Sequence, residues 1–348
     1  MFKPRQYYAP QWSAGLSIVP RSRLALAVTP TPLYRWRAPV IDDSVELWIK
    51  RDDLTGSTLS GNKVRKLEFL LYEALKQGSD TIITCGGLQS NHARATAVAA
   101  RQLGMHSHIF LGTNDPDTDP GWNGNLMLDR LAGAAIHLIP PDIYEDRERV
   151  MNDLAADLVR AGKKPYVIPE GGSNALGSWG YIDAWREIIE NDAGEIPDFD
   201  DIVFACGSGG TPAGLALAVR MSGKQTRVHA VNVSDHPDTF HMRINRILDD
   251  LGTEERSEKL VDLVDGYSGR GYALSRPEEL RLLRDVAGTT GVILDPVYTI
   301  KAFYGLCEEF RKNRDRFAGR RILFLHTGGL FGVYAKLNEL VETVDDYQ

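Results

Sequence analysis

Cysteine is scarce in this chain: 348 residues hold only Cys85, Cys206 and Cys307. Three thiols cannot build a disulfide framework, and none stands at zinc-ligand spacing. That usage suits a reducing compartment. Long apolar runs are missing too, so no segment reads as a bilayer span. An excess of basic charge is also missing: 40 Lys+Arg face 47 Asp+Glu, a net charge of −7. A mildly acidic chain is a poor partner for a phosphate backbone, which argues against nucleic acid. Internal repeats and low-complexity tracts are absent. Residues 1–41 lack acids altogether, while Lys3, Arg5, Arg21, Arg23, Arg35 and Arg37 fall there. Such a bias occurs in organelle transit segments. The stretch has no clean amphipathic period and no apolar secretory core. It reads as a leading arm, and the protein as cytoplasmic.

What is present is globular composition, with 43% hydrophobic and 25% charged residues. The length fits two domains or one large α/β unit. Val64, Leu67, Leu70, Leu71 and Ala74 share one helical face, and Gly78 stops that helix. A strand at Thr81–Thr84 leads through CGGLQSN to a helix from about His92 to Gly104. Strands are expected at His108–Leu111, Ala135–Ile139 and Tyr166–Ile168, with helices at Asn125–Gly133 and Asp146–Gly162. A second series has strands at Asp201–Ala205, Val228–Val233 and Arg321–Leu325. Helices pass through Leu215–Met221 and Pro277–Gly288, and a last one closes the chain. This alternation predicts open, mostly parallel sheets with helices on both faces. Segment 114–124 reads as a polar loop. Segment 234–272 is weakly patterned and is expected to cover an active-site mouth or an interface.

Four features fall at expected strand ends or in tight turns, where open α/β sheets bind ligands. SGNKVRK sets Lys63 in a first helical turn, a poor place for a cation. CGGLQSNHARA brings Gln89, Ser90, Asn91 and His92 to the start of a helix, whose free N–H groups suit an anion. A Ser or Asn there also serves as a plain N-cap. CGSGGTPAG offers Gly207, Ser208, Gly209, Gly210 and Thr211 as a phosphate cradle. It has no P-loop lysine, and Pro212 stands where a dinucleotide fingerprint needs its third glycine. DPVYT and HTGGL add Tyr298 and Thr327. Together these make a site for a phosphorylated, aldehyde-bearing cofactor. A lysine can hold the aldehyde, the loop the phosphate, and a hydroxyl can face a pyridine nitrogen.

KRDDLTGSTLSGNKVRKLEFL, CGGLQSNHARATAVAARQLG, CGSGGTPAGLALA, LDPVYTIKAFYGL and HTGGLFG occur in this order. From about residue 28 onward the chain resembles the D-cysteine desulfhydrase / 1-aminocyclopropane-1-carboxylate deaminase family of fold-type II pyridoxal-phosphate enzymes. The resemblance implies a two-domain α/β protein, with 65–170 as the smaller domain and 1–64 with 171–348 as the larger. It implies pyridoxal 5'-phosphate, a homodimer, and β-elimination on a small amino acid. By resemblance Lys63 is the Schiff-base lysine that also moves the α-proton. Ser90 and Asn91 hold the substrate carboxylate and the ring hydroxyl, with Gln89 and His92 flanking them. Gly207, Ser208, Gly209, Gly210 and Thr211 form the phosphate loop. Tyr298 and Tyr272 are active-site tyrosines, and Thr327 faces the pyridine nitrogen. SGRGYALSRP around Tyr272 departs from the usual stretch. In the cyclopropane deaminases a Glu follows the DPVY tyrosine and partners the ring nitrogen; here the residue in that position is Thr299. A hydroxyl leaves that nitrogen closer to neutral, a weaker electron sink. Elimination from D-cysteine, to pyruvate, ammonia and hydrogen sulfide, is therefore expected ahead of cyclopropane opening or L-cysteate desulfonation. A nicotinamide oxidoreductase resting on 206–214 and Asp235 is the reading from another class. A binding module that keeps only the fold, and a Ser90–His92 hydrolase, fit the residues less well.

Overall fold

The computed structural model describes all residues except Met1, Asp43, 191–195, Asp235, Ala318, Arg320 and 346–348. The acid of the nicotinamide reading, Asp235, thus lies outside the described residues. Strands β1 (Pro4–Gln6) and β2 (Ser22–Leu24) pair antiparallel. Strands β3 (Leu33–Arg35) and β4 (Glu46–Arg51) open a six-stranded sheet. Strands β5 (Thr81–Gly87), β6 (His106–Gly112), β7 (Ala135–Ile139) and β8 (Pro165–Val167) make a second sheet, ordered β7-β6-β5-β8 and parallel throughout. Strands β9 (Asp201–Cys206), β10 (Arg227–Asn232), β11 (Val261–Val264) and β12 (Arg321–His326) complete the larger sheet. Its order is β11-β10-β9-β12-β4-β3, with β3 alone antiparallel to its neighbour. β9 is buried at every residue, as an interior parallel strand covered on both faces must be.

Helices α1 (Asn62–Lys76), α2 (Asn91–Gln102), α3 (Gly124–Leu131), α4 (Pro141–Glu145) and α5 (Arg147–Arg160) run with the smaller sheet. Helices α6 (Ala175–Ile189) and α7 (Gly210–Met221) follow. The expected face of α1 is the buried one: Val64, Leu67, Leu70, Leu71 and Ala74 pack with Ile82, Ala95 and Ala99. Fully burying one leucine is worth about 1.5–3 kcal/mol. Helix α6 has no clean sequence period because Trp179, Tyr181, Ile182 and Trp185 are all buried within it. It crosses α1 so closely that a Cβ on Gly180 would lie 2.6 Å from the Arg65 carbonyl carbon.

Beneath that crossing lies a buried ionic network. The Arg65 guanidinium donates to Asp52 Oδ1 at 2.8 Å and to Glu187 Oε2 at 2.9 Å. Tyr181 Oη donates to Asp52 Oδ2 at 2.7 Å, and the Lys50 ammonium pairs with Glu187. Removing one partner of such a network costs about 3–5 kcal/mol, because it strands a buried charge. The network pins α1, and with it Lys63.

Segment 234–272 departs from expectation. It builds core: helix Pro237–Asp250 buries Phe240, Ile244, Ile247 and Leu248, and β11 extends the sheet. Arg243 and Ile244 of that helix also lie against the 207–211 turn, a Cβ on Gly209 coming 3.4 and 3.5 Å from them, and Tyr272 at the segment's end reaches the cleft described next.

Candidate active site

The carboxyl ends of β4, β5, β8, β9 and β12 lead into the segments that carry the candidate residues. Gly61 takes φ +99°, and its N-terminal turn is stitched to the last motif: Asn62 N–H donates to the Thr327 carbonyl at 3.0 Å. A Cβ on Gly61 would come 3.0 Å from that same carbonyl oxygen. This stitch brings Lys63 and Thr327 to one place. Lys63 is the second residue of α1. Its ammonium has no hydrogen-bond partner among the described residues. Burial drives its pKa down to about 8, against the weaker upward pull of Cys206 and Glu170. A buried amine that is readily neutral suits both holding an aldehyde and taking a proton.

Gly209, with φ +88°, caps α7 and turns the 207–211 loop onto the helix start. Gly210 N–H donates to Ser173 Oγ at 3.2 Å, and Ser173 Oγ bonds Ser208 Oγ at 3.0 Å. Asn62 Nδ2 donates to Thr211 Oγ1 at 3.2 Å. Lys66 stands over this cradle; a Cβ on Gly210 would lie 2.8 Å from its Nζ. Burial, then the like charge of Lys63, pushes the Lys66 pKa well below normal. A phosphate dianion in the cradle would restore its charge. Lysine, hydroxyls and helix N-terminus therefore fit a phosphorylated aldehyde.

Opposite, Tyr272 Oη and Tyr298 Oη share a 2.8 Å hydrogen bond, their rings edge to face at 5.9 Å. Tyr298 lies on the first loop glycine, where a Cβ on Gly207 would be 3.3 Å from its ring. Tyr272 lies over Gly87. As a residue it is 38% exposed. Burial raises both phenol pKa values, so both hydroxyls stay protonated at neutral pH.

The sequence pattern of the family described as pyridoxal-phosphate dependent enzymes matches residues 24–328. The chain belongs to that family. A bifunctional D-cysteine desulfhydrase/1-aminocyclopropane-1-carboxylate deaminase, mitochondrial, of Arabidopsis thaliana is 48% identical, over 99% of this chain and 87% of its own length. A D-cysteine desulfhydrase of Serratia proteamaculans is 38% identical, over 90% of this chain and 95% of its own. The crystal structure of an ACC deaminase homologue is 35% identical and superposes with a TM-score of 0.80, covering 91% of this chain and 95% of that one. The protein is thus a pyridoxal-phosphate-dependent α/β enzyme of the D-cysteine desulfhydrase/ACC deaminase group.

In this pyridoxal-phosphate enzyme Ser90 is the N-cap of α2, its Oγ accepting from Ala93 N–H at 3.2 Å. Asn91 Oδ1 accepts from Asn125 Nδ2 at 2.9 Å, which leaves its own Nδ2 without a protein partner among the described residues. Two expected substrate contacts are otherwise employed. Gln89 donates to Asn123 Oδ1 at 2.7 Å and accepts from Asn125 N–H at 2.9 Å. His92 is buried, with Nε2 on Thr84 Oγ1 at 2.9 Å, and burial holds it neutral. Gln89 supports the floor with both ends of its amide on protein, whereas the buried Nδ1 of His92 has no hydrogen-bond partner among the described residues. Thr299 likewise does not face a ring: its hydroxyl donates to Asp295 Oδ1 at 2.7 Å and accepts from Asp295 N–H at 2.6 Å. The Thr327 hydroxyl has no protein partner among the described residues and remains available.

Sequence reasoning missed four residues. Lys66 could have been found from its i, i+3 spacing to Lys63. Asp295 accepts from Val297, Tyr298 and Thr299 N–H and so anchors Tyr298; an Asp four residues before a helix-starting Thr was its signal. Asn125, 34 residues from Asn91, carried no signal. Nor did Glu170, which pairs with Arg147 at 2.9 Å and accepts from Tyr144 Oη at 2.9 Å. Its charge is felt at Lys63 and at both tyrosines.

Proposed function

We propose that this enzyme eliminates sulfide from D-cysteine, giving pyruvate, ammonia and hydrogen sulfide. The observation that carries the choice is Thr299. No carboxylate side chain stands at that position, and its hydroxyl is closed on Asp295. The Asp295 carboxylate is itself covered by three backbone N–H groups and that hydroxyl. This leaves the Thr327 hydroxyl as the partner for a ring nitrogen, and a neutral partner favours a weaker electron sink. A cyclopropane carbon is a poor leaving group and needs the stronger sink; a thiol sulfur does not.

Bound pyridoxal phosphate supplies an aldehyde for the substrate amine and a ring that accepts the electron pair of the Cα–H bond. The chain does the rest. Lys66 and residues 207–211 hold the phosphate. Lys63 would hold the aldehyde through its ε-amine and would be the group that takes the substrate's α-proton; a pKa of about 8 suits that task. Ser90 and Asn91, at the open start of α2, hold the substrate carboxylate and the ring hydroxyl. The protonated Tyr272–Tyr298 pair gives a proton to the departing sulfur. A second reading, 1-aminocyclopropane-1-carboxylate deamination, draws support from the bifunctional Arabidopsis relative.

The two sheets are proposed as the cores of the two domains, 65–170 and the remainder, and a homodimer as the assembly, which light scattering tests. Residues 4–24 are built into the fold, with Tyr7 packed on Phe69 and Trp179, which supports an arm over a removable segment. Among the described residues no helix is long and apolar enough to cross a membrane. A cytoplasmic location is proposed, and cell fractionation tests it.

The decisive assay runs the yellow, cofactor-loaded protein on D-cysteine, L-cysteine, L-cysteate and 1-aminocyclopropane-1-carboxylate side by side. Pyruvate with sulfide from D-cysteine supports the reading. 2-Oxobutanoate from the cyclopropane substrate, without turnover of D-cysteine, replaces it with the deaminase.

A further inference from the structure

An asparagine amide can present either its oxygen or its nitrogen, and which one Asn91 offers the cleft decides what it can bind. We propose that Arg94 and Asn125 are positioning residues that lock Asn91 with its N–H2 toward the cofactor ring, making it a donor only. This rests on the reading above that Asn91 meets the ring hydroxyl.

The lock is fixed at both ends by groups that cannot reverse. Arg94 has only donors. Its Nη1 is held by the carbonyls of Thr58 and Ser60 at 2.7 and 3.0 Å, and its Nε donates to Asn125 Oδ1 at 3.1 Å. The Asn125 oxygen therefore faces Arg94. On its other side Asn125 Nδ2 donates to the Gln89 carbonyl at 3.0 Å, and a carbonyl can only accept. Two independent partners thus set the same amide orientation. The same Nδ2 reaches Asn91 Oδ1 at 2.9 Å, so the oxygen of Asn91 points back into the protein. Its nitrogen is left for the cleft. Arg94 and Asn125 are both 0% exposed, so water does not compete for these bonds. The guanidinium is further fixed 5.0 Å over the Phe331 ring, close after the Thr327 turn.

The test titrates the apoprotein with pyridoxal phosphate and with its 3-deoxy analogue, which lacks the ring hydroxyl, following absorbance. Asn125→Asp keeps the size and the Arg94 bond but offers Asn91 only acceptors, so the Asn91 nitrogen turns inward. Asn125→Ala removes the lock without reversing it. The proposal expects Asn125→Asp to weaken pyridoxal phosphate about ten- to hundred-fold. Asn125→Ala weakens it less, and neither variant changes affinity for the 3-deoxy analogue. A purely structural role reverses the order, Ala being worse than Asp. A general effect of the new charge weakens both ligands alike. Either result overturns the lock. If Asn125→Asp does not fold, Arg94→Gln, whose amide can turn either way, gives the same comparison between the two ligands. Asn91→Ala separates the layers: unchanged pyridoxal phosphate affinity there removes the underlying reading and the lock with it. Weakening there, with Asn125→Asp unchanged, overturns the lock alone.

Discussion

A single methyl group at Gly87 should disable this enzyme while leaving its fold intact. The clash is direct: a Cβ at Gly87 would stand 2.4 Å from Tyr272 Cε1 and 3.1 Å from its hydroxyl oxygen. Ordinary contact begins at 3.4 Å, so the phenol must retreat by about 1 Å. Its bond to Tyr298 is 2.8 Å now and would open beyond hydrogen-bonding range. Misplacing a catalytic group by that distance costs about 100-fold in rate. The stability side runs the other way. Gly87 has no left-handed backbone to strain, and Tyr272 is 38% exposed and free to swing outward. Replacing glycine by alanine at a compatible site also restricts the unfolded chain, worth about 0.4–1 kcal/mol. Gly87→Ala should therefore lose about two decades of kcat for D-cysteine with Tm unchanged or slightly raised. Tyr272→Phe, which deletes only the hydroxyl, should reproduce the loss. Full kcat in Gly87→Ala would refute the role given to the tyrosine pair. A matching collapse of Tm would assign the contact to stability instead.

Lys63→Ala should abolish borohydride-trapped cofactor while Lys66→Ala keeps covalent attachment and weakens cofactor affinity, read by absorbance titration. Glu170 holds the Lys63 pKa up, so Glu170→Gln should move the acid limb of the kcat profile to lower pH; a shift to higher pH contradicts the placement. Gly180→Ala drives a methyl into the α1 backbone, 2.7 Å from Lys66 N, and should cost about 1–3 kcal/mol by thermal or denaturant unfolding. His229 is buried, which opposes its charge, but Asp201 at 2.7 Å and Asp262 at 2.8 Å outweigh burial and raise its pKa. Its proton-linked stabilisation is therefore complete below the unfolded value of about 6.5. It is lost as pH rises through the folded value. The stability gap between the native protein and His229→Gln should narrow on raising pH from 6 to 9, and a widening gap would contradict the assignment.

Much of this was legible in the sequence where one segment carried its own signal. Gly78, Gly104 and Gly162 end helices with φ above +70°, and the apolar period of α1 is its buried face. Local information also marked the turn at 207–211 and the N-cap at Ser90. What failed needed partners distant in sequence. Helix α6 is apolar on several sides because α1, α7 and the sheet all press on it, which erases its period. Lys50 sits inside a strand where a cation looks out of place until Glu187 arrives 137 residues later. Thr299 shows the limit for chemistry. Its identity was readable, but not that Asp295 would close its hydroxyl.

The central claim is that a neutralised Lys63 takes the α-proton of D-cysteine and sulfur leaves. The most direct measurement quantifies sulfide and pyruvate together from D-cysteine, with the native protein and Lys63→Ala in parallel. The account predicts equimolar products from the native protein and none above background from the variant. Turnover surviving in Lys63→Ala, or cofactor-loaded native protein that releases no sulfide from D-cysteine, would contradict it.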